Sequence, residues 1–108
     1  MNVNVLGTIY TVGVGTEKTD PKLSTAYGYC DPSVKKIVIS ELERDPDSVQ
    51  DLDAEARKIL RHEIIHAFFF ESGLHENCDY AANEELVDWI ALQFPKILKT
   101  FEESGCIK

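Results

Sequence analysis

The segment LDAEARKILRHEIIHAFFFESG, residues 52–73, carries the strongest periodicity in the chain. Ala54, Ala56, Ile59, Leu60, Ile64, Ile65, Ala67 and Phe68 recur at steps of three and four, the spacing of a helical face. Asp and Ser residues among positions 45–53 suit a helix start, where a side-chain oxygen caps free N–H groups and acids meet the positive end of the dipole. Gly73 suits the C-terminal cap, which needs a left-handed residue. Around Ile64, Ile65 and Phe68–Phe70 the helix is apolar on most sides, which predicts a central, buried element with the three phenylalanines in the core.

Downstream, Leu86, Val87, Ile90, Ala91 and Phe94 give a second helical pattern from about Ala81 to Phe94. Pro95 lacks an N–H and crowds the preceding turn, so the sequence predicts a kink there, or a new short helix through about Glu102. Upstream, residues 3–14 are rich in β-branched and aromatic residues and read as a strand. Val3 and Val5 share one parity and Leu6, Tyr10, Val12 and Val14 the other, so a bulge near Gly7 is expected. Residues 16–24 read as a loop. Thr25–Cys30 and Lys36–Ser40 read as two strands joined through Asp31-Pro32-Ser33, a turn signature. The expected fold is therefore α+β: a small, mainly antiparallel N-terminal sheet packed on the 52–73 helix, then a C-terminal helix, in a single domain over residues 1–108.

Composition narrows the function. The 108 residues carry 11 Lys+Arg against 19 Asp+Glu, a net charge of −8. That balance argues against nucleic acid, whose binders cluster cations along phosphates, and against an anionic membrane surface. No apolar run approaches the ~20 residues of a membrane span. The N-terminus has no basic region before an apolar one and reads as a strand, not a leader. Cys30, Cys78 and Cys106 form an odd set without CxxC spacing, which predicts free thiols and a cytoplasmic setting.

The chemistry-bearing motif is His62-Glu63-Ile64-Ile65-His66, an HExxH pattern. Residues four apart lie one turn apart and about 40° around the axis, so both imidazoles can converge on one Zn²⁺ ion. Glu63 then stands beside them as the candidate general base. A shuffled chain of this composition would contain the pattern roughly once in 180 trials, by counting against the motif. Its place in the most apolar helix sharpens it, because buried imidazoles and carboxylates are costly unless paired or metal-bound.

A catalytic zinc needs three protein ligands. The extended HExxHxxGxxH form is excluded, because Phe69 and Ser72 stand where glycine and histidine would be required. Asn83-Glu84-Glu85-Leu86-Val87-Asp88 offers carboxylates on the next helix. Glu84 and Asp88 lie one turn apart, so Glu84 can bind the metal while Asp88 accepts the outer N–H of a ligand histidine. Glu85 and His75 are the alternative third ligands. Trp89 is expected to pack against the 52–73 helix.

HExxH followed by an NExxxD segment resembles the gluzincin metallopeptidases, and the same segments look like small zincin-like proteins of phages and prophages. The resemblance implies a minimal zincin-like fold, His62, His66 and Glu84 as zinc ligands, Glu63 as base and Asp88 as the residue that orients a ligand. It implies an intracellular peptidase with a narrow peptide or protein substrate, which would be a repressor if the chain resembles the prophage anti-repressor metallopeptidases. An exposed sheet edge beside the metal, residues 25–30 or 36–40, could hold an extended chain by strand addition. Larger gluzincins draw Tyr or His donors for the tetrahedral intermediate from a further domain. Here Tyr80 is the candidate donor, with His75, Tyr27 and Tyr29 as the other visible ones. The rival reading is a zincin fold kept as a binding or assembly module, with a closed site completed by Cys78 or His75.

Overall fold

In the computed structural model, which describes residues 1–107, the chain begins with a two-residue hairpin where the sequence predicted one bulged strand. β1 (Asn2–Val5) pairs antiparallel with β2 (Thr8–Gly15), setting Val3 opposite Tyr10 and Val5 opposite Thr8. Leu6 and Gly7 have φ of 51° and 91°. Two successive positive φ values are what a tight, right-twisted hairpin turn demands. Asn4 Oδ1 braces it by accepting the Gly7 N–H at 2.8 Å. The parity change near Gly7 is thus the turn itself, and it leaves Val3, Val5, Tyr10 and Val12 on one face.

β3 (Gly28–Asp31) and β4 (Lys36–Ser40) form the expected antiparallel hairpin. Asp31 Oδ1 caps its turn by accepting the Ser33 N–H at 3.0 Å. β4 also pairs parallel with β2, so the four-stranded sheet has the order β1-β2-β4-β3. This order settles which of the two strands considered for substrate pairing is open. β4 is hydrogen-bonded on both sides, whereas β3 is an edge. A 3₁₀ turn, Pro21–Ser24, brings Leu23 beside Val38 over Gly15 on the other face.

α1 (Leu52–Glu71) lies across the inner face, where Val5, Tyr10, Ile37 and Ala67 form the buried core. Asp51 Oδ1 caps its start on the Ala54 N–H at 2.9 Å, and Gly73, with φ of 81°, turns the chain at its end. The last turn is pinned to the sheet: Glu71 Oε2 accepts from Tyr10 Oη at 2.7 Å and Lys35 Nζ at 2.8 Å. Ile59, Glu63 and His66 are buried along the same helix, while Phe68 is exposed and Phe69 and Phe70 half-buried, so the phenylalanine run is not wholly core.

After α2 (Leu74–Asn77) and a 3₁₀ turn over Asp79–Ala82, α3 spans Glu84–Ser104. It starts later than the periodicity predicted, because Asn83 caps it by accepting the Leu86 N–H at 2.9 Å. It also runs unbroken through Pro95. Proline at 95 removes the donor that the Ala91 carbonyl would use, and Arg61 Nε of α1 replaces it at 2.6 Å. The freed carbonyl becomes a point of attachment between the helices. Val87 and Ala91 face α1 and are fully buried, which turns Trp89 outward; it is 55% exposed, contrary to the packing expected of it. No helix among the described residues is long and apolar enough to cross a membrane.

Candidate metal centre

The HExxH pattern falls in the middle of α1, where helical spacing places His62 and His66 on one side and Glu63 toward the sheet. α3 crosses this face at its own N-terminus. Because Val87 and Ala91 bury against α1, Glu84, three and seven residues before them, lies on the same side of α3. His62 Nε2 is 3.0 Å from Glu84 Oε2, His66 Nε2 is 2.7 Å from Glu84 Oε1, and the two Nε2 atoms are 3.1 Å apart. One ligand atom from each of the three residues falls within a 4.8 Å group. Ligands on a tetrahedral ion with ~2.05 Å bonds would stand ~3.3 Å apart; the 3.0 and 3.1 Å spacings lie close to this, while the 2.7 Å contact, made through the other Glu84 oxygen, would have to open by about 0.6 Å. Two imidazoles and a carboxylate are also a donor set that zinc accepts, leaving a fourth position open.

The surrounding residues differ in role. Asp88 Oδ1 lies 3.4 Å from His62 Nδ1, the ring nitrogen away from Glu84, where a carboxylate can fix the ring orientation. Glu63 is 7% exposed. Burial pushes its carboxyl up to about 7; the charge of Glu84 adds to this and His62 opposes it. Burial also holds the His66 pKa below the usual histidine value, favouring the neutral imidazole that a metal requires. Cys30, on β3 beside Glu63, is pushed up to about 12, first by burial and then by the charge of Glu63, so its thiol stays protonated at neutral pH.

The other sequence candidates separate. Glu85 is one residue further around α3, exposed, and contributes no atom to the group. His75 and Cys78 contribute none either. Tyr80 is 51% exposed, stands edge-on to Phe69 at 6.5 Å, and lines neither cavity at the site. His75, by contrast, lines a cavity of about 260 Å³ together with Glu63, His66 and Glu84. A neighbouring cavity of about 230 Å³ lies between Ala26–Gly28 and His62, Glu63, Glu84 and Asp88. Together they make a cleft that follows the β3 edge past the candidate ligands.

Gly28 is a site residue that sequence reasoning missed. A Cβ there would lie 3.1 Å from Ile59 Cγ2, 3.1 Å from the Val38 carbonyl oxygen and 3.3 Å from Glu63 Cγ. Its absence lets β3 approach α1 at Glu63. A glycine within a strand is the signal that could have found it, since it marks a close backbone approach. No family model, curated protein or solved structure matches this chain, so its function is read from this geometry.

Proposed function

We propose that this protein is a zinc-dependent peptidase that takes an extended peptide along the β3 edge. The observation that carries the reading is the convergence of His62, His66 and Glu84 donor atoms within 4.8 Å, with buried Glu63 lining the same cleft. Bound there, zinc would supply Lewis-acid polarisation of a carbonyl and would acidify water. The chain supplies the rest. The outer edge of β3 offers backbone N–H and C=O groups to a peptide strand, as edge strands do. Gly28 keeps that strand close to Glu63. The Glu63 carboxylate, favoured by a nearby cation, takes a proton from the attacking water and returns it to the leaving amine nitrogen. Asp88 holds the His62 ring in place.

Two measurements test this together: elemental analysis of tag-free protein, and peptide-library hydrolysis by the wild type and Glu63→Gln. The expected result is about one zinc per chain in both proteins and hydrolysis by the wild type alone. Zinc-dependent cleavage by Glu63→Gln would remove Glu63 from its role. Failure of the wild type to take up zinc at neutral pH would overturn the enzyme reading. Bound zinc without turnover would favour the binding-module alternative.

A further inference from the structure

We propose that α3 carries a dimer interface whose occupant is the α3 of a second copy of this chain, paired about a two-fold axis. The proposal is independent of the metal centre. α3 packs on α1 through a narrow face marked by Val87 and Ala91, both fully buried. At about 100° per residue, every charged residue of the helix, from Glu84 to Glu103, falls within an arc of about 120° on one flank of that face. The other flank holds no charge. There Ile90, Phe94, Ile97 and Phe101 recur at steps of four, three and four, on a strip about 60° wide with the spacing of a coiled-coil seam. Phe94 is 46% exposed and Phe101 44%, with Ile90 and Ile97 half-buried between them.

The strip continues past the part of α3 that α1 supports. Every residue from Lys99 to Ser104 is exposed. The Cα radius of gyration is 14.9 Å, against about 13 Å for a compact chain near this length. A helix end without packing is marginal, because helices in proteins draw most of their stability from a buried face. What fits a seam of three- and four-residue steps is a helix with the same seam, and a two-fold axis supplies one by setting strip against strip. Two chains of net charge −8 can meet there without placing carboxylates opposite one another, since interface cores exclude charge and this strip has none. From Leu86 to Ser104 the flank runs for ~27 Å, and two helices in contact over that length bury about 1,000 Å² in total, the lower bound for specific association, so a micromolar dimer is expected. Leu92 is 49% exposed but lies among Glu85, Asp88 and Lys99, outside the contact. Glu84 also lies on the charged flank, so the cleft stays open in the dimer.

Sedimentation velocity of the full-length protein from 1 to 500 μM, with and without a chelator, tests this alongside Phe94→Glu, Phe101→Glu and Leu92→Glu. All three replaced side chains are exposed, and circular dichroism checks that each variant keeps its helices. The expected result is a saturable monomer–dimer equilibrium that the chelator leaves unchanged. Phe94→Glu and Phe101→Glu should each weaken it about 10²-fold, because each dimer would then bury two unpaired carboxylates, and Leu92→Glu should leave it intact. Amides from Ile97 to Ser104 should exchange more slowly at 500 μM than at 1 μM. A wild type that stays monomeric throughout overturns the proposal and assigns the strip to a different partner. So does a dimer that survives both phenylalanine substitutions, which places the contact elsewhere, or one equally weakened by Leu92→Glu. Dissociation by the chelator would make the contact metal-bridged and overturn it too. None of these outcomes bears on hydrolysis, so the peptidase reading stands or falls separately.

Discussion

Replacing Arg61 by methionine tests how α3 is locked to α1. Pro95 cannot donate to the Ala91 carbonyl, Ala91 is fully buried, and Arg61 Nε is the donor at 2.6 Å. Methionine keeps most of the apolar stem but leaves that carbonyl without a partner. An unsatisfied buried acceptor costs about 1–3 kcal/mol. At roughly 4–8 °C per kcal/mol for a domain near this size, a ~2 kcal/mol loss lowers Tm by roughly 8–16 °C. The same substitution in a Pro95→Ala background should cost far less, because an alanine at that position restores the helical N–H to the Ala91 carbonyl. Urea unfolding of the four proteins, followed by circular dichroism, gives the coupling energy, expected at about 1–2 kcal/mol. Additivity within ~0.3 kcal/mol would refute the argument that Arg61 substitutes for the missing proline N–H.

Glu84→Ala should abolish stoichiometric zinc binding and Glu85→Ala should leave it intact, as elemental analysis and zinc titration would read; loss in both would point to general acidity of the α3 N-terminus. Gly28→Ala should destabilise by about 1–3 kcal/mol, because its Cβ meets the Val38 backbone and Ile59, and it should also lower hydrolysis by moving β3 off Glu63; denaturant midpoints and kcat check both. Glu71 is held at about 2, first by Lys35 and then by Tyr10. A carboxyl depressed in the folded state contributes stability above its unfolded value near 4.3 and loses it as pH falls toward about 2. Thermal melts should therefore show a shallower acid limb between pH 4.5 and 2 for Glu71→Gln than for the wild type, and identical limbs would exclude the clasp.

Elements whose cause is local could be read from the chain alone. A helical stripe, an N-cap and a glycine stop lie within a few residues of one another, so α1 and its HExxH face were legible from Leu52 to Gly73. The α+β class followed from the same local patterns. Glu84 with Asp88 was legible as a pair, because a four-residue step is fixed by the helix itself. Features that depend on distant partners were settled only by packing. Whether the parity change near Gly7 was a bulge or a turn depended on β2 folding back on β1. β4 lies inside the sheet because β2 pairs with it in parallel, and that pairing alone makes β3 the open edge. Pro95 stays within a continuous helix because Arg61, far away in sequence, satisfies the carbonyl it frees. The choice of Glu84 over Glu85 came from the rotation of α3, set by Val87 and Ala91 burying against α1. His75 rather than Tyr80 lines the cleft because a left-handed glycine sends the chain back over Phe70. Residues joined by a turn of helix carry their geometry in the sequence, while those joined across the core acquire it only when the chain packs.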